Sequence, residues 1–170
     1  MGNPLSPIVA NFWLWMVENK IKSKPWFPRH WYRYMDDIFA IIPKTETEFI
    51  LEKLNNIHPN IKFTQEIEKD NRLPFLDIWV LKKLGKLEFG IYHKPSSTNQ
   101  CIPYESHHPI SHKLAVFHAS FHRLCNIVLN KEEKEKELQY IYKTAWENGY
   151  AKNLIEKIYK KTFAKIRENK

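Results

Sequence analysis

Two adjacent aspartates, Asp36 and Asp37, lie between two short runs of strand-forming residues. Residues 31–34 precede the pair and residues 38–42 follow it, and both runs are rich in aromatic and β-branched side chains. Such residues favour strands, whereas aspartate favours turns. We therefore predict a β-hairpin that carries two carboxylates at its tip.

A helix is predicted before this hairpin. Asn3 and Pro4 resemble an N-cap and a first-turn proline, and the helical pattern continues to about Ile21. Apolar residues recur in it at helical spacing, which predicts one strongly buried face. That face consists of Ile8, Val9, Phe12, Trp13 and Met16.

Strand patterns dominate the region after the hairpin. A helix is expected to end near residue 56, and alternating apolar residues then predict a strand over residues 61–67. Residues 73–81 and 86–92 flank a turn that contains a glycine, which predicts a second hairpin. Residues 1–92 are thus expected to form an antiparallel sheet with helices.

The rest of the chain is expected to be helical after a polar connecting loop over residues 93–105. Apolar residues at helical spacing predict three helices in the region 106–170, and Gly149 is expected to end the second. A charged run over residues 131–137 is interpreted as a solvated helix face. The predicted fold class is α+β.

The composition favours a polyanionic partner. Lysine and arginine total 27 against 19 acidic residues, a formal net charge of +8. With 43% hydrophobic residues the chain is not expected to be disordered, and it has no stretch approaching the ~20 apolar residues of a membrane helix. Cys101 and Cys125 do not resemble a disulfide framework, so we expect an intracellular protein with reduced thiols and no membrane partner.

Adjacent aspartates on a rigid hairpin suit metal-assisted phosphoryl or nucleotidyl transfer. Two-metal catalysis needs hard oxygen ligands that hold cations about 3.5–4 Å apart. Asp36 and Asp37 would provide part of that cage. The alternative is an ordinary polar turn, because aspartate is common in turns without any metal.

Several motifs occur in an order that resembles the reverse transcriptases of Penelope-like retroelements. They are Gly2-Asn3-Pro4-Leu5-Ser6-Pro7 (G-x-P-x-S-P), Tyr34-Met35-Asp36-Asp37 (Y-x-D-D), Leu73-Pro74-Phe75-Leu76-Asp77 (primer grip), Tyr92-His93-Lys94-Pro95-Ser96-Ser97-Thr98-Asn99, Ser106-His107-His108-Pro109 with His112-Lys113, and Asn148-Gly149-Tyr150. The resemblance covers almost the whole chain.

This resemblance implies part of a polymerase palm with its primer-grip hairpin in residues 1–92 and a thumb in residues 106–170. It implies an RNA-directed DNA polymerase of a retrotransposon, located in the nucleus, that uses two Mg²⁺ ions, or Mn²⁺, held by Asp36 and Asp37. Its partners would be an RNA template with a DNA primer, or an RNA–DNA duplex, and deoxynucleoside triphosphates. Template or nucleotide would contact Gly2, Pro4, Ser6 and Tyr34, and the thumb would contact nucleic acid through Lys94, His108, His112 and Lys113. The alternative for Pro4 and Ser6 is a proline-capped helix start without a ligand. Lys62 lies in the predicted strand after His58-Pro59, where its charge would neutralise phosphates, but a solvated surface lysine explains it equally well.

The chain departs from the family in one respect. The family supplies a further metal-binding aspartate from a strand that precedes the G-x-P-x-S-P box, together with fingers that hold the triphosphate. We therefore expect a fragment that is inactive alone and needs an upstream fingers and palm segment. The alternative function is a retroelement remnant that binds nucleic acid without catalysis.

Two further patterns remain open. Histidines and cysteines between Cys101 and Cys125 invite a zinc site, but their spacing matches no paired zinc-finger half, so zinc is not expected. Basic residues in the last helix either follow the phosphates of a duplex or form a solvated face. They are Lys152, Lys157, Lys160, Lys161, Lys165 and Arg167.

Overall fold

The computed structural model describes residues 4–168 and is α+β, as predicted, with five helices and two small antiparallel sheets in the described part. The chain divides into two compact units, Met1–Ile67 and Glu68–Lys170, here called the hairpin unit and the helical unit. No helix within residues 4–168 combines the length and the apolarity that a membrane span requires.

The hairpin unit contains α1 (Ser6–Ile21), β1 (His30–Tyr34), β2 (Asp37–Ile41), a 3₁₀ turn (Lys44–Glu46) and α2 (Thr47–Asn55). The predicted hairpin is confirmed, since β1 and β2 pair in antiparallel register around a two-residue loop. A small core of Ile21, Ile50 and Leu54 lies in this unit, with Trp26, Phe27, Trp31, Ile42, Ile57 and Phe63 packed around these three.

The prediction of a buried apolar face on α1 is wrong. Ile8, Val9 and Phe12 are each more than half exposed, and the buried residues of the helix are Glu18 and Ile21 near its end. Helical spacing identifies residues that share a face, but burial also requires a neighbouring element. The predicted N-cap residue Asn3 lies outside the described residues.

The prediction of a strand over residues 61–67 is also wrong, because this segment, which the structure describes throughout, forms no strand pairing. Instead the side-chain amide of Asn55 pairs with the backbone of Phe63, accepting from its N–H at 2.6 Å and donating to its carbonyl at 3.1 Å. One side chain thus replaces the neighbouring strand that the alternating pattern had suggested. Lys62 therefore lies in an irregular segment and is exposed.

The helical unit begins with a meander of β3 (Arg72–Phe75), β4 (Ile78–Lys83) and β5 (Lys86–Ile91). The predicted turn is present at Leu84 and Gly85, which both have positive φ, as type I′ hairpins require. The predicted first strand is divided, however, because Leu76 and Asp77 form a second tight turn between β3 and β4.

Three helices complete this unit: α3 (Ile110–Asn126), α4 (Lys131–Glu147) and α5 (Lys152–Glu168). The predicted apolar stripes converge on one core that contains Phe117, Phe121, Leu124, Ile141 and Ile155. Ile91 of β5 belongs to the same core, so the meander packs with the helices. The contacts within the structure divide the chain into two units after Ile67. The boundary predicted from the change in sequence character lay later in the chain, at residues 93–105.

Candidate functional site

The turn at Met35 and Asp36 places both candidate metal ligands at an exposed tip. Tyr34 pairs with Asp37 across a loop formed by Met35 and Asp36, and all four residues are exposed. Met35 has φ 53°, a left-handed conformation that is unfavourable for a side chain of this size. The turn therefore needs support from the rest of the unit.

That support comes from Arg33 and Glu18. The Glu18 carboxylate, almost fully buried, accepts hydrogen bonds from Arg33 Nε at 2.7 Å and Trp31 Nε1 at 3.0 Å. Arg33 Nη1 in turn donates to the Met35 carbonyl at 3.0 Å and to Asn11 Oδ1 at 2.9 Å. A charged pair between α1 and the hairpin thus holds the backbone of the strained residue.

Sequence reasoning did not identify Glu18 and Arg33 as supporting residues. Glu18 lies one turn before the buried Ile21, and a carboxylate on the inward side of an otherwise apolar helix is a signal that it needs a cationic partner. The identity of that partner depends on tertiary contact, because Arg33 is 15 residues away along the chain.

The start of α1 is exposed, as a ligand-binding terminus would need to be. Pro4 and Ser6 are accessible, Pro7 lies in the first turn, and the N-cap residue Leu5 makes no side-chain capping bond. Backbone N–H groups at such a terminus are suited to an anion. Gly2, which the resemblance adds to this group, lies outside the described residues.

The carboxylates of Asp36 and Asp37 have the hard oxygen donors that Mg²⁺ and Mn²⁺ prefer, so the residue types fit part of a metal site. Within residues 4–168, however, no three His, Cys, Asp or Glu side chains are grouped so as to hold a metal ion. The histidines and cysteines between Cys101 and Cys125, which were considered as zinc ligands, likewise form no such group. The other two aspartates of the chain, Asp70 and Asp77, belong to the helical unit, whereas Asp36 and Asp37 belong to the hairpin unit.

The predicted primer-grip residues form the end of β3 and the turn that follows. Leu73, Pro74 and Phe75 lie in the strand and are half-buried, whereas Leu76 and Asp77 form the exposed loop. Leu76 has φ 54° and precedes an aspartate, so this turn repeats the arrangement at the tip of the first hairpin. The Asp77 carbonyl accepts from the N–H of Tyr92 at 2.9 Å, which ties the turn to the end of β5.

A cluster of charges that the sequence analysis did not foresee links this turn to the helices. Glu137 is only 5% exposed, although the run containing it was interpreted as a solvated face, so that interpretation is wrong at this position. Its carboxylate lies 2.8 Å from His93 Nε2 and 3.9 Å from Arg123 Nη2. Arg123 Nη1 lies 3.9 Å from the Asp77 carboxylate. The cluster thus joins the turn before β4 to α3 and α4.

The burial of Glu137 follows from its position on α4. Ile141 and Ala145 come after it at intervals of four residues, so all three share the buried face of the helix. A charge in a protein interior requires a partner, and His93 and Arg123 lie beside this one. The last residue of the charged run therefore belongs to the interior of the helical unit.

The predicted thumb contacts differ in their availability. Lys94, His108 and His112 are exposed, and His108 Nδ1 lies 3.2 Å from Ser106 Oγ. Lys113 is half-buried, and its ammonium donates to the Tyr104 carbonyl at 2.6 Å while lying 5.5 Å from the centre of the Tyr104 ring. Lys113 therefore already has a structural contact.

The connecting loop, residues 93–105, is held against the helices by the motif Asn148-Gly149-Tyr150. The Asn148 side chain accepts from the N–H of Cys101 at 3.1 Å and donates to the Asn99 carbonyl at 2.7 Å. Gly149 has φ 82°, which glycine adopts without strain. The buried Tyr150 hydroxyl donates to the carbonyl of residue 102 at 2.6 Å. This motif therefore has a structural role in the unit.

The basic residues of α5 are exposed, unlike its core residues. Ile155 and Ile158 are buried, whereas the six residues of the basic set are exposed: Lys152, Lys157, Lys160, Lys161, Lys165 and Arg167. The connection from α4 to α5 is a four-residue turn that contains Gly149, a length and composition typical of helix-turn-helix motifs.

Residues 100–160 match a family model described as the animal helix-turn-helix domain. The match covers well under half of the chain and includes α3, α4 and about half of α5. No curated protein and no solved structure gives a significant match to the chain.

Proposed function

We propose that this chain is part of an RNA-directed DNA polymerase of a retroelement and contains the metal-binding turn of its palm and a helical thumb. The observation that carries the proposal is the hairpin tip, where Asp36 and Asp37 are both exposed on a turn held by Arg33. Adjacent carboxylates on a supported turn are what a metal-dependent nucleotidyl transferase needs from its palm.

In the assembled enzyme Asp36 and Asp37 would hold Mg²⁺ or Mn²⁺. The bound ions would stabilise charge on the oxygens that attack and leave during transfer. Arg33 and Glu18 act at a distance from that chemistry by fixing the backbone of Met35, and hence the position of the two carboxylates.

The remaining contacts of the hairpin unit would be with template or nucleotide. The start of α1, where Pro4 and Ser6 are exposed, would bind phosphates through the backbone N–H groups of the first turn. Tyr34 and Lys62 are exposed and would contact the same ligands.

The helical unit would bind the primer–template duplex. Leu76 and Asp77 provide an exposed turn for the primer end, and Lys94, His108 and His112 are accessible to phosphates. Lys113 remains a predicted contact, although its ammonium would have to leave the Tyr104 carbonyl to reach a phosphate. A nuclear location would follow from this function.

A test of the catalytic assignment supplies the fingers and the further aspartate that the family resemblance implies. We expect no templated DNA synthesis by the 170-residue chain alone, because its described residues group no third ligand with Asp36 and Asp37. Joined to a fingers and palm segment with the further aspartate, the chain is expected to extend a DNA primer on an RNA template.

In this joined enzyme Asp36→Asn should abolish extension, whereas Asp70→Asn, a matched change in an exposed loop, should not. Extension that survives Asp36→Asn would overturn the assignment.

The second candidate is a nucleic-acid-binding module without catalysis. The helix-turn-helix match over residues 100–160 and the exposed basic face of α5 favour it. It predicts duplex binding that weakens steeply with salt and does not depend on Asp36, Asp37 or Mg²⁺. Salt-dependent binding together with no extension in the joined enzyme would favour this candidate over the polymerase.

A further inference from the structure

One side of α5 is exposed along most of the helix. Asn153, Lys157, Lys160 and Ala164 follow one another at intervals of three or four residues, so they share one face, and all four are exposed. At 1.5 Å per residue this face is about 17 Å long. It is called the exposed face of α5 below.

The other side of α5 is fixed in the core of the helical unit. Ile155 and Ile158 lie about half a turn away from the exposed face, and both are buried. They belong to one core with Phe117 and Phe121 of α3 and with Ile141 of α4. The three packed helices therefore present the exposed face on a supported element.

The charge on this side of α5 is positive. Lys157 and Lys160 make no ion pair among those found in residues 4–168. Of the acidic residues of α5, Glu156 lies 3.9 Å from Lys152 and Glu168 ends the helix. Such a face favours the phosphates of a nucleic-acid duplex. Contacts with phosphates position a protein on the duplex, but they do not read its sequence.

Asn153, in the first turn of α5, is the uncharged polar residue of the exposed face. Its side chain makes no hydrogen bond within the part of the chain that the structure describes. A carboxamide both donates and accepts hydrogen bonds, as the edge of adenine in the major groove requires. In helix-turn-helix proteins that bind DNA, the first residues of the second helix contact base edges in that groove.

We propose that α5 binds in the major groove of B-form duplex DNA and that Asn153 selects an adenine there. Lys157 and Lys160 contact the phosphates beside the groove. The inference rests on the nucleic-acid binding that both candidate functions include, and it adds the form of the duplex and a residue that reads its sequence.

The dimensions of the grooves favour DNA over an RNA–DNA duplex. The major groove of B-form DNA is about 12 Å wide and admits an α-helix. An RNA–DNA duplex has A-form geometry, and the major groove of that form is too deep and narrow for side chains to read. A face about 17 Å long is sufficient to cross the B-form groove.

The test selects duplexes that bind the full chain from a pool of DNA with a randomised segment. We expect the selected duplexes to share an adenine at one position. Replacing that A·T pair by G·C should weaken binding about tenfold in fluorescence anisotropy, the loss of one bidentate contact. An RNA–DNA duplex of the selected sequence should also bind more weakly than the DNA.

Asn153→Ala should bind the selected and the changed duplex equally, with the affinity that the unaltered chain has for the changed one. The variant should fold, because Asn153 is exposed and alanine favours helices. Asn153→Gln keeps a carboxamide that pairs with adenine in the same way, so it should retain part of the preference. Asn19→Ala, at an exposed asparagine of α1, is the matched control and should retain all of it.

The possible failures separate this inference from the proposed function. Selected duplexes that share no adenine, or a preference that survives Asn153→Ala, would overturn the inference and leave nucleic-acid binding standing. Tighter binding of the RNA–DNA duplex than of the DNA would also overturn it, and would favour the polymerase. Binding of neither duplex would contradict the nucleic-acid binding itself.

Discussion

Arg33 Nε lies 2.7 Å from Glu18 Oε1, and both side chains are largely withdrawn from water. This pair joins α1 to the hairpin, and the other end of the guanidinium holds the Met35 carbonyl beside Asp36. One ion pair thus supports both the stability of the hairpin unit and the position of its exposed carboxylates.

We expect Glu18→Ala to destabilise the hairpin unit by about 3 kcal/mol, because it leaves the charge of Arg33 without its buried partner. Glu18→Gln, which retains an acceptor, should cost less. Urea unfolding followed by tryptophan fluorescence measures both changes, since Trp31 donates to Glu18. Glu52→Ala on the exposed side of α2 is the control, with an expected effect within about 0.5 kcal/mol. An equally small effect of Glu18→Ala would show that the pair does not stabilise the unit.

The elements that the sequence predicted correctly are those specified by neighbouring residues. The Met35-Asp36 turn, the Leu84-Gly85 turn and the three C-terminal helices each follow from local periodicity and turn chemistry. The strand predicted over residues 61–67 is absent because the side chain of Asn55, in the preceding helix, forms the hydrogen bonds expected of a neighbouring strand.

The candidate site was predictable only in part, because some of its contacts join distant parts of the sequence. The exposed aspartates follow from the turn, but their support by Glu18 and Arg33 depends on the packing of α1 against the hairpin. The burial of Glu137 likewise depends on His93, which is 44 residues away. Contacts of this kind leave no periodic pattern in a sequence.

Tyr150→Phe should destabilise the helical unit by about 1–2 kcal/mol. The change removes a buried hydroxyl that donates to the Ile102 carbonyl and leaves that carbonyl without this bond. Urea unfolding followed by circular dichroism measures the loss. Tyr104→Phe is the matched control, because Tyr104 is exposed and its ring can pack against the Tyr150 ring with or without its hydroxyl. Equal effects of the two changes would mean that the hydroxyl of Tyr150 contributes nothing.

The helical unit should lose stability in alkaline solution. Burial raises the pKa values of Tyr142, Tyr150 and Tyr159. Above about pH 10 the unfolded chain releases these protons more readily than the folded chain, so the free energy of unfolding falls as the pH rises. Urea midpoints measured from about pH 8 to about pH 11 test this, and Tyr150→Phe should make the decline shallower. A flat profile would contradict the expectation.

Gly149→Ala should cost about 1 kcal/mol, because an alanine at φ 82° is strained. Space is not the cause, since an added Cβ would meet Tyr104 Cβ at an ordinary 3.7 Å. Gly149→Asn should therefore cost less than alanine, as asparagine tolerates left-handed conformations better. Thermal unfolding of the two variants gives the order, and a reversed order would point to packing instead of backbone strain.

The basic face of α5 is expected to account for part of the salt dependence of duplex binding. Lys157, Lys160 and Lys161 are exposed and make no ion pair among those found in residues 4–168, so their charges are available to phosphates. The three variants are Lys157→Gln, Lys160→Gln and Lys161→Gln. A variant that removes a phosphate contact should bind all sequences more weakly to a similar extent, and its slope of log K against log salt should be smaller by about 1. Lys143→Gln is the matched control, because Lys143 is exposed on α4 and lies 3.8 Å from Glu147. Anisotropy titrations at several salt concentrations measure the slopes. If the three α5 variants keep the slope of the unaltered chain, as Lys143→Gln is expected to do, α5 is a solvated helix and the duplex binds elsewhere.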